Sequence, residues 1–250
     1  MRRLEIDVNY PSLKIDVYGD GADKETMLKR YREGFIKGFT TNPTLMAKAG
    51  IKDYQAFAES VLSEIKSMPI SFEVFSDEFN EMGKQAHLIS SWGPNINIKI
   101  PITNTRGESS LPLIRQLLDD HLRLNVTAIL APDQIADLRD ILKPEDDVIV
   151  SIFAGRIADT GVDPMPIMRK AVEDYKNLSK SKILWASPRE VLNIYQAESC
   201  GCHIITATYD LIDKLKFHRK SLTEFSLDTV QMFHNDAQKA GFSLSALSKA

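Results

Sequence analysis

The segment from Asn95 to Pro101 contains a lysine whose surroundings suit covalent chemistry. Polar residues alternate with isoleucines, so a β-strand places Asn95, Asn97 and Lys99 on one face and three isoleucines on the other. The isoleucine face would pack against the rest of the fold, which leaves Lys99 facing an enclosed space. Because burial disfavours the charged form of a lysine, an enclosed amine can attack a carbonyl carbon as a neutral nucleophile. For this segment alone, a lysine paired with a carboxylate in a buried network is the alternative.

Polar side chains also occupy inward positions near the ends of other short, β-branched segments. Barrel interiors are normally filled with branched apolar side chains, whereas polar groups at the carboxyl ends of parallel strands carry the chemistry of barrel enzymes. If the segments are neighbouring strands, their polar residues converge around Lys99. These residues are Asp16, Thr40, Asn42, Glu73, Asn125, Thr127 and Ser151. For Asn125 alone, hydrogen bonding inside its own sheet is the simpler interpretation.

A second group of residues suits an anion such as phosphate. Ser187 to Glu190 fit a helix capping box, with Ser187 at the N-cap and Pro188 at the first helical position. Arg189 would then oppose the helix dipole at a cost of about 0.3–1 kcal/mol, which makes sense if an anion lies beside it. Arg156 follows another predicted strand and supplies a second guanidinium. For Arg156 alone, a surface salt bridge is an equally good interpretation.

The elements that must position these residues alternate along the chain. Eight strand-like segments are separated by helical patterns, which begin after Asp53 and at Pro132, Pro164 and Pro188. The predicted strands are Leu13–Val17, Ile36–Thr41, Ile70–Phe75, Asn95–Ile100, Arg123–Leu130, Val148–Phe153, Lys182–Ala186 and His203–Thr206. Such alternation demands parallel strands with right-handed crossovers, so we predict an α/β protein with a closed (β/α)8 TIM barrel. An open doubly wound sheet is the alternative, but neither glycine-rich nucleotide motif is present.

The composition narrows the function classes further. The chain has 250 residues, 43% hydrophobic and 26% charged, with net charge −3. This favours one domain over residues 1–250 and argues against nucleic acid or a membrane as partner. The first seven residues precede no apolar run, so we expect no secretory signal and a cytoplasmic location. Cys200 and Cys202 lack a histidine pair at ligand spacing, so we interpret them as reduced packing residues and predict no metal site.

Five segments resemble, in order and approximate spacing, the signature segments of the transaldolase family. They are GFTTNPT at 38–44, IKIP at 98–101, NVT at 125–127, SIFAGRI at 151–157 and ASPR at 186–189. The tail from Asp228 to Phe242 resembles the terminal helix of the shorter transaldolases. The resemblance implies a (β/α)8 barrel with an N-terminal extension over residues 1–12 and a C-terminal helix and tail over about residues 226–250. It also implies that Lys99 forms a Schiff base with a ketose phosphate, without metal or organic cofactor.

The resemblance also implies a role for each polar residue. Asp16 would be the base that deprotonates the C4 hydroxyl of the substrate, and Glu73 with Thr127 would relay protons through a bound water. The residues implied to contact the three-carbon unit are Thr40, Asn42, Asn125, Ser151 and Phe153. Those implied to bind phosphate are Arg156, Ser187 and Arg189, although Pro188 departs from the bulkier residue that is usual inside this motif.

Two positions bear on whether the protein transfers or only cleaves. Related fructose-6-phosphate aldolases carry a tyrosine at the position of Phe153 and a glutamine at that of Glu73, so the resemblance favours a transaldolase. It would transfer a dihydroxyacetone unit from fructose 6-phosphate or sedoheptulose 7-phosphate, in the pentose phosphate pathway or a dedicated sugar pathway. Cleavage that releases dihydroxyacetone and a non-catalytic sugar-phosphate-binding barrel are the alternatives. Apolar residues such as Val230 and Phe233 predict a terminal helix that packs on its own barrel or a neighbour's, and ring-like relatives favour a homo-oligomer.

Overall fold

A computed structural model describes residues 10–242 of the chain. Eight parallel strands form a closed barrel in which each strand pairs with its sequence neighbours and β8 returns to β1. The strands are β1 (Asp16–Asp20), β2 (Gly38–Thr40), β3 (Ile70–Glu73), β4 (Ile96–Pro101), β5 (Leu124–Ile129), β6 (Val148–Ile152), β7 (Lys182–Trp185) and β8 (Ile204–Thr208). The predicted (β/α)8 barrel is thereby confirmed.

Helices surround the barrel and connect its strands. They are α1 (Lys24–Glu33), α2 (Pro43–Lys48), α3 (Tyr54–Leu62), α4 (Phe79–Ser91), α5 (Leu111–Asp119), α6 (Pro132–Ile141), α7 (Ala154–Asp159), α8 (Met165–Asp174), α9 (Leu192–Ser199), α10 (Tyr209–Asp213) and α11 (Leu222–Lys239), with a 3-10 helix at Lys214–Phe217. The Asp53 side chain accepts a hydrogen bond from the backbone N–H of Ala56, which caps α3. Pro132 begins α6, and Pro164 stands one residue before α8.

The main core lies between the barrel and the surrounding helices. Ile96, Ile98 and Ile100 of β4 are each at most 3% exposed, which confirms their predicted face as the packing surface. Full burial of one such side chain is worth about 1.5–3 kcal/mol, so this face fixes which way β4 is turned. The alternate residues of β4, among them Asn97 and Lys99, therefore point into the barrel.

The first strand lies three residues later than predicted. Asp16 pairs with Ile204 at the start of β8, and Asp20 pairs with Thr208 at its end. Gly19 weakens the strand signal in the sequence, but a Cβ at Gly19 would lie 2.7 Å from Cε1 of Tyr209. The glycine is needed because the Tyr209 ring packs against this strand. The shift places Asp16 at the amino end of the barrel and Asp20 at its carboxyl end.

The C-terminal helix is present but begins earlier than the predicted residue 226. The Ser221 side chain caps it at Leu222 and forms a capping box with Glu224. The structure describes all 18 of its residues, and none of them is buried. The remaining parts of the predicted extension and tail, residues 1–9 and 243–250, lie outside the described residues. Between residues 10 and 242, no helix has the length and apolar character needed to cross a bilayer.

Candidate active site

Lys99 is enclosed near the carboxyl end of β4, with only 7% of its surface exposed. Its Nζ lies 3.0 Å from Oε2 of Glu73, which ends the neighbouring strand β3 at the paired register position. The same Nζ donates a hydrogen bond of 3.1 Å to the carbonyl oxygen of Thr41. The structure therefore combines the two interpretations of this segment: Lys99 is an enclosed amine, and it is also paired with a carboxylate.

A cavity of about 580 Å³ opens at the carboxyl ends of the strands above Lys99. The predicted residues that line it are Asn42, Glu73, Lys99, Thr127, Phe153, Arg156, Ser187 and Arg189. A smaller inner cavity of about 130 Å³ shares Lys99 and adds Thr40 and Ser151. Most of the predicted site residues are thus gathered around one amine. The lining residues that the sequence analysis did not single out as site residues include Asp20, Lys48, Thr206 and Thr208.

The structure does not bring Asp16 to the predicted site. Asp16 is the first residue of β1, at the amino end of the barrel, and it lines neither cavity. Asp20 lies four residues later, on the same inward face, and lines both cavities. The sequence does contain a signal for Asp20, because residues four positions apart on a strand lie on the same face. The predicted strand ends at Val17, before Asp20, so the prediction selects Asp16 as the carboxylate of this strand.

Asp20 is held by a short chain of hydroxyl groups. Thr40 Oγ1 donates a hydrogen bond of 2.7 Å to Oδ1 of Asp20, and it lies 2.5 Å from Oγ1 of Thr206. Burial raises the pKa of Asp20, while the positive charge of Lys99 and the Thr40 hydrogen bond oppose that rise. A carboxyl group with a raised pKa exchanges protons nearer neutral pH, which suits general acid–base chemistry.

A bulge in β5 presents Thr127 to the cavities. The register between β5 and β6 shifts between Val126 and Ile129, and Ala128 adopts φ 61°. A left-handed conformation at a residue other than glycine costs about 1–2 kcal/mol, and such strain clusters at functional sites. Among residues 10–242, the buried Thr127 hydroxyl has no hydrogen-bond partner. This hydroxyl is therefore free to bind a water or a substrate group.

The amides of Asn125 and Asn42 are engaged in different ways. The Ser151 hydroxyl donates to Oδ1 of Asn125 at 2.6 Å, and the Asn125 amide donates to Oγ of Ser71 at 3.0 Å. Asn125 is fully buried and lines neither cavity, so it holds Ser151 from within the barrel. Asn42 lines both cavities, and its Oδ1 caps α2 by accepting from Leu45 N at 2.9 Å.

Two arginines lie on the rim above β6 and β7. The guanidinium carbon of Arg156 lies 5.8 Å from the centre of the Phe153 ring, within range of a cation–π contact. Arg189 forms an ion pair with Asp159, including a hydrogen bond of 3.0 Å from its Nε to Oδ1. Both guanidinium groups line the cavity of about 580 Å³, so they give its outer wall positive charge.

Close backbone contact between the first turn of α7 and the segment after β7 brings these arginines together. A Cβ at Gly155 would lie 1.6 Å from the carbonyl oxygen of Ser187, so only glycine permits this approach. Ser187 has φ 61° and does not cap a helix, because α9 begins at Leu192. The predicted capping box is therefore wrong, and Arg189 stands before the helix rather than in its first turn. Its backbone N–H instead donates to Oδ1 of Asn193.

The fold and site together define a (β/α)8 barrel with a buried lysine, carboxylates and cationic side chains at its carboxyl mouth. The fold is shared with a dihydrodipicolinate synthase from Rhodopseudomonas palustris, with TM-score 0.56 at 15% identity, covering 90% of this chain and 82% of that one. It is also shared with a 2,3-dimethylmalate lyase, with TM-score 0.54 at 11% identity, covering 94% and 88%. At these identities the likeness concerns the fold alone.

The chain belongs to the transaldolase/fructose-6-phosphate aldolase family, whose model matches residues 17–247. It is 32% identical to a "probable transaldolase" of Dehalococcoides mccartyi, over 81% of this chain and 90% of that protein. It is 34% identical to a "probable transaldolase 2" of Listeria monocytogenes, over 76% of this chain and 84% of that protein. The resemblance found in the sequence is thereby confirmed at the level of the family.

Proposed function

We propose that this protein transfers a dihydroxyacetone unit from a ketose phosphate to an aldose phosphate through a Schiff base on Lys99. The observation that carries the proposal is the enclosed Lys99 amine, 3.0 Å from the Glu73 carboxylate in a cavity that also contains Asp20. Family membership supports the same class of chemistry. Fructose 6-phosphate and sedoheptulose 7-phosphate are donors of the required form.

Imine formation uses Lys99 and Glu73. The neutral amine attacks C2 of the ketose, and the resulting carbinolamine loses its hydroxyl as water once that oxygen is protonated. Glu73 is close enough to accept a proton from the amine and return it to the hydroxyl. The free Thr127 hydroxyl supports this relay, because it can hold a water between the carboxylate and the carbinolamine.

Cleavage and transfer use Asp20. It removes the proton of the C4 hydroxyl, the C3–C4 bond breaks, and its electron pair moves through C2 to the iminium nitrogen. The aldose phosphate leaves as an aldehyde, while the three-carbon unit stays on Lys99 as an enamine. C3 of the enamine then attacks the aldehyde carbon of the acceptor, and Asp20 returns its proton to the new hydroxyl. Water finally hydrolyses the new imine and frees Lys99.

Phosphate recognition falls to Arg156 and Arg189, with the Ser187 hydroxyl beside them on the cavity wall. A phosphate would compete with Asp159 for Arg189, since that ion pair lies on the exposed rim. Guanidinium groups bind phosphate through paired hydrogen bonds, so the sugar is held at the end remote from Lys99. This remote binding energy positions the reacting carbons.

Phe153 supports transfer over simple cleavage. Its phenyl ring lines both cavities and has no group that could hold a water near the enamine. The test measures loss of fructose 6-phosphate by the purified protein with and without erythrose 4-phosphate. Fast turnover only with the acceptor supports transfer, whereas equal rates with release of dihydroxyacetone would show an aldolase. Binding of the sugar phosphate without turnover in either assay would show a non-catalytic barrel.

We also propose that the protein forms a homo-oligomer through α11. The apolar residues of this helix are exposed, including Phe225 at 43%, Val230 at 61% and Phe233 at 63%. The contact of Phe225 with Phe217 is close to the start of the helix, at a ring separation of 5.1 Å. Contiguous exposed apolar surface on a helix is typical of protein–protein contact, so a second copy of the chain is the proposed partner. A cytoplasmic location stays a prediction.

A further inference from the structure

The hydrogen bonds around Asp20 continue beyond Thr40 to a residue of β8 without an assigned role. Thr40 and Thr206 are almost fully buried, at 1% and 6% exposed, and their hydroxyl oxygens lie 2.5 Å apart. A hydroxyl has one hydrogen to donate, and an ionised carboxylate can only accept. When Asp20 is ionised, Thr40 donates to Asp20, so the hydrogen between the two threonines comes from Thr206.

The same part of the chain also supports Asp20 from outside the barrel. Tyr209 follows β8 directly, and added Cβ atoms at Gly19 and Gly21 would lie 2.7 Å and 2.5 Å from its ring. These glycines flank Asp20 on either side. The backbone around Asp20 therefore cannot move outward without displacing the Tyr209 ring, while the Thr206 hydroxyl fixes the inner side through Thr40.

We infer that Thr206 is a positioning residue, which keeps the Thr40 hydroxyl directed at Asp20 and thereby favours the ionised carboxylate that the proposed reaction uses as a base. This inference rests on the proposed function only in giving Asp20 that role. The hydroxyl chain itself is a property of the protein without substrate. Loss of the Thr206 donor leaves Thr40 free to turn and weakens it as a donor to Asp20.

The charges that face Asp20 come from several elements. Lys99 of β4 favours its ionised form and Glu73 of β3 disfavours it, whereas Tyr209 of α10 lies behind the strand. Arg156 of α7 lies across the inner cavity. Replacing Thr206 by valine leaves all four groups in place and keeps the shape of the side chain. A change in the titration of Asp20 would therefore follow from the lost hydroxyl.

The direct test titrates the Asp20 carboxyl carbon by NMR in protein labelled with 13C-aspartate, with Asp20→Asn to assign the signal. Thr206→Val should raise the pKa of Asp20 by about 0.5–1 unit, the size of effect that one modest hydrogen bond produces. Thr206→Ser, which keeps the donor, should titrate like the wild type. Equal pKa values in wild type and Thr206→Val would overturn the inference, whether or not the protein is an enzyme.

The kinetic test connects the hydroxyl chain to the reaction. The acid limb of the kcat profile for transfer should move to higher pH in Thr206→Val, with a loss of about three- to tenfold below the limb and little loss above it. Borohydride trapping on Lys99 should be unchanged, and Thr206→Ser should restore the profile. A uniform loss at every pH would show a purely structural role and contradict the inference. No trapping in the wild type would instead contradict the proposed function, and the NMR result would still stand.

Discussion

Asp20 and Asp16 lie on the same face of β1 but at opposite ends of the barrel. Replacing each of them in turn therefore tests which one is the base. Asp20→Asn should lower kcat for transfer by about 10²–10⁴-fold, the usual contribution of a positioned acid–base group. Asp16→Asn should leave kcat close to the wild-type value, because Asp16 lines neither cavity. Steady-state kinetics of both variants make the comparison. A large loss in Asp16→Asn with little in Asp20→Asn would contradict the placement of the site.

Burial of Asp20 also predicts a dependence of stability on pH. Because its pKa is raised in the folded protein, the native state keeps this proton above the ordinary carboxyl pKa of about 3.9. The contribution of neutral Asp20 to stability is complete below that value and is lost as the pH rises through the folded pKa. Asp20→Asn removes this loss. The free energy of unfolding, measured in urea, should favour the variant over the wild type more at about pH 8 than at about pH 4. An equal difference between the two proteins at both pH values would contradict the prediction.

At the scale of elements, the contact between the first turn of α7 and the loop after β7 positions the residues of the phosphate side of the site. Gly155→Ala places a methyl group against the Ser187 carbonyl, so α7 and the loop after β7 must separate at a cost of about 1–3 kcal/mol. Arg156 and Arg189 should then no longer reach one phosphate. KM for sugar phosphates should therefore rise strongly, whereas borohydride trapping of dihydroxyacetone on Lys99 should fall less. Thermal unfolding and steady-state kinetics measure the two effects.

Gly83→Ala is the matched control, because it adds the same methyl group in α4, where the nearest atom is the flexible Leu113 Cδ1 at 3.3 Å. Helix propensity favours alanine by up to about 1 kcal/mol, so the control should keep or gain stability. Its KM should equal that of the wild type. Unchanged kinetics in Gly155→Ala would show that the contact of α7 with the loop after β7 does not position the arginines.

The elements differ in how far the sequence could predict them. The alternation of β4 fixed the direction of Lys99, since one face is wholly isoleucine. Gly19 of β1 and Gly21 just after it leave room for the Tyr209 ring. Local sequence pattern cannot reveal this tertiary contact, so the predicted strand ends before Asp20. The segment from Ser187 to Glu190 has capping residues, but the contact with Gly155 holds it in another conformation. Thr206 gave no local signal, because its partners lie on other strands.

At the scale of the whole molecule, α11 should join copies of the chain. Phe233→Glu puts a charge on the exposed apolar stripe that would be buried in the oligomer, and an unpaired buried charge is costly. The variant should sediment as a monomer while the barrel keeps its unfolding temperature. Gln231→Glu, about half a turn away on the same helix, carries the same charge and should stay oligomeric. A wild-type protein that sediments as a monomer would contradict the proposed interface.

The most direct measurement of the proposed chemistry is borohydride reduction in the presence of fructose 6-phosphate, followed by mass analysis of the peptides. We predict one reduced adduct, carried by Lys99 and absent from Lys99→Met, because this amine is enclosed beside Glu73. Trapping should persist when Phe153 is replaced by tyrosine, since imine formation precedes the choice between transfer and release. An adduct on another lysine, or none while fructose 6-phosphate is turned over, would contradict a Schiff-base reaction at this site.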